Sequence, residues 1–255
     1  MITVSELYKK LDAAVPSSLR AEWDNDGLMC CPSTDRSCQK LLLALDVTEA
    51  IVDRAIAEGF DAILSHHPLV FRPVGALTHE AAVPRKLIKL VENGISVLCF
   101  HTRFDALAGG VNDALATALG LKNAVPFGNE GEEMGRIGEV APCTLDTFAQ
   151  KVKKALGSPV VLAAGALPVR RVALLGGSGE DFIGAAKRAG ADTYVSGELG
   201  YHRLSTAAED GINLIEAGHY HTENIALPAL ASLVGEIDST IEITFAESCE
   251  IRAFV

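Results

Sequence analysis

The chain is short of basic residues. Its 255 residues hold 22 Lys and Arg against 33 Asp and Glu, a formal net charge of −11. A nucleic-acid binder normally carries a basic patch to meet phosphates. The longest basic cluster here, Lys151–Lys154, reads as the solvated face of a helix. No helix-turn-helix pattern stands out either, so no nucleic-acid partner is expected. Long apolar runs are also missing, and no stretch approaches the roughly 20 residues of a membrane span. The first segment, MITVSELYKKLDAAVP, has no apolar core of signal-peptide length, because Glu6 and Asp12 interrupt it. Thr3 and Glu6 read instead as a capping box that opens a helix. The expected location is the cytoplasm, without a membrane partner.

Cysteine pairing is another absence. Cys30, Cys31, Cys38, Cys99, Cys143 and Cys249 contain no C-x-x-C pair. Even counts imply a disulfide framework mainly in short secreted chains. Reduced, mostly buried thiols are the favoured reading, and a thiolate metal site at Cys30, Cys31 and Cys38 the lesser one. A GxxxxGK[ST] phosphate loop is missing too. The nearest glycine-rich element is LLGGSGED, Leu174–Asp181. It reads first as a tight strand-to-helix turn and second as a phosphate cradle.

What is present is alternation. Leu41–Thr48 is a nearly continuous apolar run, the mark of a strand buried on both faces. A helix follows from Glu49 to Gly59, then a strand at Ala62–Ser65, which together make a βαβ unit. A helix at Pro84–Asn93 and a strand at Ile95–Phe100 continue it. Val125–Glu139, rich in Gly and Glu, is the candidate boundary or long functional loop. Beyond it, strands are expected at Arg171–Leu175, Thr193–Ser196, Asn213–Glu216 and Glu242–Ala246. Helices are expected at Thr144–Leu156, Asp181–Ala189, Leu204–Asp210 and Glu223–Leu233. The fold class is α/β in two halves, residues 1–127 and 128–255, with the final strand free to return to the first half's sheet.

Five of the seven histidines fall in three short clusters, each just after an expected strand. The carboxyl ends of parallel strands are where α/β proteins bind ligands. The first cluster is SHHPLVF, Ser65–Phe71. Neighbouring residues on a strand face opposite ways, but a sharp departure at Pro68 lets both imidazoles face one crevice or straddle two ions. The ordinary alternative is a pair of turn histidines. The second cluster, HTRFDA, brings Asp105, either as a carboxylate that bridges two cations or as a cap for a helix starting near Gly110. The third, GHYHTEN, sets His219 and Glu223 four apart on one helix face. Its alternative is a helix start with Thr222 capping and Glu223 facing the macrodipole. Three histidines and two carboxylates from separated segments exceed the ligand count of a catalytic zinc and suit two ions. His79 is expected on a solvent-exposed loop; His202 can reach the crevice and Glu198 reads as a substrate contact or an N-cap for the next helix, with structural roles favoured for both.

These residues carry a resemblance. SHHPLVF, HTRFDA and GHYHTE resemble, in this order, the signature of the Nif-three-like dinuclear metal family, whose bacterial members carry the name GTP cyclohydrolase 1 type 2 homologue. WDNDGL, Trp23–Leu28, is similar to another of its motifs, and GEVAP and YVSGELGYH are weaker matches. The resemblance implies two related α/β halves with a metal pair in the cleft between them, and a ring-shaped homo-oligomer, a hexamer. It implies two divalent ions per chain (Zn, Fe, Mn, Co or Ni) held by His66, His67, Asp105, His219 and Glu223, with Asp105 and Glu223 bridging. It places His101 beside the site, as a supporting or catalytic residue. Arg103 departs from the family, which more often has Asn there, so substrate or supporting contacts near Asp105 are expected to differ. Two functions follow. One is a metal-dependent hydrolase that adds water to a purine nucleotide. The alternative is a non-enzymatic metal-binding regulatory or adaptor protein.

Overall fold

The computed structural model describes residues 1–159 and 161–248; Cys249 therefore lies outside the described residues. In chain order the elements are α1 (Val4–Ala14), β1 (Gly27–Cys30), β2 (Lys40–Ala44), α2 (Glu49–Ala57), β3 (Ala62–Ser65), α3 (Ala82–Glu92) and β4 (Ser96–Cys99). Then come α4 (Thr102–Ala106), α5 (Val111–Leu119), β5 (Lys122–Asn129), β6 (Glu132–Cys143), α6 (Leu145–Leu156), β7 (Leu162–Ala164) and β8 (Val169–Ser178). The last are α7 (Ile183–Arg188), β9 (Thr193–Glu198), α8 (Tyr201–Thr206), β10 (Asn213–Glu216), α9 (His219–Asn224), α10 (Leu227–Ile237) and β11 (Glu242–Phe245). Among the described residues, no helix is long and apolar enough to cross a membrane.

The chain forms two compact units. The first is Met1–Phe104 with the described chain from Leu227 onward, and the second begins at Asp105 and runs to Ala226. The division thus falls at 104/105 and again at 226/227, not at 127/128. The polar stretch Val125–Glu139 is no linker: it lies in the antiparallel hairpin of β5 and β6. Gly128, Gly135 and Gly138 sit there because the paired chains come too close for a Cβ.

The first unit has a five-stranded sheet, ordered β1-β4-β3-β2-β11. β11, β2, β3 and β4 are parallel, and β1 closes the edge antiparallel. The final strand does return to the first sheet, in register with Leu41–Leu43. β2, β3 and β4 are apolar on both faces, and nearly all their residues are fully buried. Leu42, Ala44, Ile63 and Val97 pack with Ile51, Val52 and Ala55 of α2 on one of those faces. The helix starts at Thr48, whose hydroxyl accepts from the Ile51 N–H. The capping box at Thr3 and Glu6 is present at the start of α1.

The second unit has a six-stranded sheet, ordered β5-β6-β8-β9-β10-β7. Only β8, β9 and β10 run parallel to one another. Alternate residues of β8 serve opposite faces. Val172 and Leu174 pack toward α5 and α6, and Ala173 and Leu175 toward α7. Thr144 caps α6, its hydroxyl accepting from the Thr147 N–H. The strand expected at Glu242–Ala246 ends one residue earlier, at Phe245, and the helix expected at Glu223–Leu233 is divided, because α9 ends at Asn224 and α10 begins at Leu227.

Candidate metal centre

In the first unit, β3 ends at Ser65 and the chain turns sharply. The Ser65 hydroxyl donates to the His67 carbonyl at 2.7 Å, and the His67 N–H donates to the Leu45 carbonyl at 2.9 Å. This turn brings the rings of His66 and His67 to the same side, with centroids 5.2 Å apart. His101, just past β4, joins them at 5.3 Å from His66 and 5.6 Å from His67. Each ring offers a nitrogen within 4.8 Å of those on the other two, a spacing that can hold a cation. His66 is buried, and the other two are half-buried.

The direction of each ring is set by its Nδ1. His66 Nδ1 lies 3.0 Å from the Phe100 carbonyl, His67 Nδ1 lies 2.7 Å from Asp46, and His101 Nδ1 lies 2.8 Å from Asp24. A carbonyl or carboxylate oxygen only accepts, so Nδ1 carries the proton in all three rings. The lone pair of each neutral imidazole is then on Nε2. That is the usual arrangement of metal-binding histidines, with an outer acceptor fixing tautomer and orientation.

Asp24 and Asp26 give WDNDGL a physical role. Asp24 is fully buried and accepts from His101, from the Thr102 N–H at 3.1 Å and from the Thr102 hydroxyl at 2.6 Å. Burial raises its pKa, but the His101 hydrogen bond and charge, with those from Thr102, outweigh burial and lower it to about 2. Asp26 accepts from the His101 N–H and from Arg103 Nε, at 3.1 and 2.8 Å.

Arg103 is 1% exposed and does not face a ligand. Its Nη1 donates to Asp12 at 2.7 Å and to the Val15 carbonyl at 2.9 Å, and its guanidinium lies 4.4 Å from the Phe100 ring centroid. Arg103 therefore belongs to a buried ion network that reaches the His101 backbone through Asp26.

In the second unit, Asp105 is buried near the end of α4 and does not cap α5, whose N-cap, Gly110, has no side-chain cap. Its carbonyl accepts from Asn112 Nδ2 at 3.2 Å. Asn112 is fully buried, donates also to the Met134 carbonyl, and accepts from the Gly176 N–H at 2.8 Å. It thereby ties the Asp105 turn to the glycine-rich loop.

That loop abuts Glu223. His219 and Glu223 lie one turn apart on α9, with Nε2 and Oε2 at 3.1 Å. Gly177 has φ +69°, and a Cβ there would overlap Glu223 Oε1 and crowd His219 Nε2. The loop is also no phosphate cradle. The N–H groups of Gly176, Gly177 and Gly179 already donate to Asn112, to the Thr222 hydroxyl and to the Glu198 carbonyl. Thr222 thus serves this loop rather than capping its own helix.

Glu198 is likewise not a helix cap. Its Oε1 lies 3.4 Å from His219 Nδ1. Glu216 instead accepts from the N–H groups of Leu199 and Gly200. His202 is exposed on α8 and His79 on its loop. Among the described residues no cysteine belongs to a group that could hold a metal ion, and burial pushes the Cys30 and Cys38 thiols up to about 11 and about 12.

The profile of the Duf34/NIF3 (NGG1p interacting factor 3) family matches residues 2–250. The chain belongs to that family. A "GTP cyclohydrolase 1 type 2 homolog" of Clostridium perfringens is 33% identical over 248 residues, 94% of each chain. "Protein NIF3 homolog" of Schizosaccharomyces pombe is 34% identical over 236 residues, 86% of this chain and 84% of its own length. Among solved structures, the Staphylococcus aureus hypothetical protein SA1388 superposes with a TM-score of 0.88 at 27% identity, covering 99% of each chain.

Asp46 and Asp24 were missed as supporting residues at the level of sequence. A signal existed for Asp46: a carboxylate at the end of the apolar run LLLALD stands where a strand delivers side chains to a site. Asn112 had no such signal.

Proposed function

We propose that this NIF3-family chain holds two divalent metal ions with His66, His67, Asp105, His219 and Glu223, and that it is a hydrolase acting on a purine nucleotide. The observation that carries the reading is the orientation of the histidines. Three of them, His66, His67 and His101, meet a carbonyl or carboxylate at Nδ1, which leaves Nε2 for ligation or proton transfer. The name borne by the Clostridium perfringens relative supports the substrate class. Bound ions would supply Lewis acidity and lower the pKa of water.

The chain's own contribution to the reaction centres on His101. Addition of one water to the purine imidazole carbon, with C–O bond formation and C–N bond cleavage, opens the ring to a formamide, and a second water cleaves the remaining C–N bond to release formate. Each step needs one group to take a proton from water and return it to the departing nitrogen. His101 Nε2 can do both, while Asp24 holds Nδ1 and stabilises the imidazolium. Metal-loaded protein incubated with GTP should release formate, and His101→Ala should slow that release by roughly 10²- to 10⁴-fold. Absence of formate from a protein shown to hold its ions would sink the hydrolase and leave the regulatory or adaptor reading.

Gly177 tests the ligand set separately. Gly177→Ala should displace the Glu223 carboxylate and weaken divalent-metal affinity by roughly 10- to 100-fold, the usual cost of disturbing a supporting residue. Chelator competition, with circular dichroism to confirm folding, reads it. An unchanged affinity would remove Glu223 from the ligand set.

A further inference from the structure

The chain's single tryptophan is out of place for an apolar side chain. Trp23 is 58% exposed, and Phe71 beside it is 45% exposed. The two rings pack edge-on, with centroids 6.2 Å apart. Both also meet the ring of His101, Trp23 at 6.1 Å and Phe71 at 6.5 Å. The arrangement is held by the backbone, because Asn25 Nδ2 donates to the Val70 carbonyl and joins the two loops that carry the pair. Large aromatic surface left in water is costly, and an aromatic pair held beside a candidate catalytic ring points to a ligand that covers it.

The surroundings narrow the ligand's chemistry. Phe71 also lines a pocket of about 700 Å³, within the size range of small-molecule sites, together with Val74, Val83 and Pro84. Two cations, Arg72 and Lys86, stand on the same wall. Arg72 is exposed, and the Lys86 ammonium donates to the Val47 carbonyl at 2.6 Å. Flat aromatic surface next to guanidinium and ammonium groups suits a planar heteroaromatic ring that carries phosphate.

We infer that Trp23 and Phe71 form the ring-binding part of the site, a stacking platform for the base of a nucleotide whose phosphates face Arg72 and Lys86. The platform deepens the hydrolase reading and rests on it only for the ligand's being the substrate. It places the ring beside His101, the group assigned to proton transfer.

Because Trp23 is the sole tryptophan, its fluorescence reports on the platform alone. The metal-containing protein is titrated with GTP, guanosine and ribose 5-phosphate, with excitation at the red edge of the indole band. GTP and guanosine should quench saturably, and ribose 5-phosphate should not. Phe71→Ala should weaken the Kd for GTP by roughly five- to 150-fold, the value of one base–aromatic stack, while Phe71→Tyr should preserve it. Circular dichroism and urea midpoints confirm that both variants fold. Equal quenching by ribose 5-phosphate, or a Kd unchanged in Phe71→Ala, overturns the platform. No response to any of the three assigns the pair to a protein contact and overturns it as well. Saturable quenching without formate release leaves the platform standing and removes the hydrolase, and formate release without quenching does the reverse.

Discussion

Native protein should contain about two divalent ions per chain, and the His67→Ala, Asp105→Ala double variant should contain almost none. Each substitution removes one of the proposed ligands, His67 in the first unit and Asp105 in the second. The loss should not unfold the chain. His67 lies just beyond β3, and Asp105 sits on the short α4, while the apolar cores are built from other residues. Removing His67 also leaves Asp46, 40% exposed and therefore reachable by water, without the imidazole it orients. Elemental analysis by mass spectrometry reads the ions, and thermal unfolding with and without added metal reads the coupling to stability. Two ions retained in the double variant would mean that the ligands lie elsewhere. A metal-free native protein that gains no stability from Zn, Fe, Mn, Co or Ni would mean the same.

The second large effect should come from a residue that touches no ligand. Arg103→Leu should lower the unfolding free energy by about 3–5 kcal/mol, the cost of breaking a buried ion pair from one side. Asp26 has a fully buried side chain and would keep only Arg20, 3.6 Å away, as an ion partner, beside the His101 N–H. In the native chain, burial works against the Arg103 charge, but the hydrogen bonds and charges of Asp12 and Asp26 outweigh it and raise its pKa. The double change Arg103→Leu, Asp26→Leu removes both charges and should recover much of the loss, because the uncompensated carboxylate is what costs most. Urea unfolding of the three proteins measures the difference. A loss under about 1 kcal/mol for Arg103→Leu, the range of a surface pair, would show that the network contributes little.

The family's spacing left Arg103 looking like a change at the site, since it stands two residues from Asp105. On the short α4 the two face different surroundings. Arg103 turns toward Asp12, Val15 and Asp26, all from the first thirty positions of the chain. Nothing local to HTRFDA announces those partners. The glycine-rich LLGGSGED misled in a similar way. Its glycines suit a tight turn or a phosphate, yet their purpose is close approach: Gly177 has no Cβ because Glu223 occupies that space, 46 positions later.

Much was nevertheless legible. Apolar runs marked β2, β3 and β4, because strands buried on both faces need apolar residues throughout. Ala62–Ser65 and Asn213–Glu216 have the limits their sequence predicts. The short edge strands β1 and β7 were not legible. They are three or four residues long and half-exposed, so no alternation sets them apart.

By itself, the sequence determined the alternation of strands and helices and the placement of histidines just past strand ends. Both depend on neighbours a few positions away, through backbone period and burial. Only the tertiary structure decided that β11 pairs with β2, that Asp46 and Asp24 hold His67 and His101, and that Asn112 joins Asp105 to the Gly176 loop. Those partners lie 21 and 77 positions apart for the two histidines. A hydrogen bond over that span leaves no period in the chain, because it is made by the packing of whole elements.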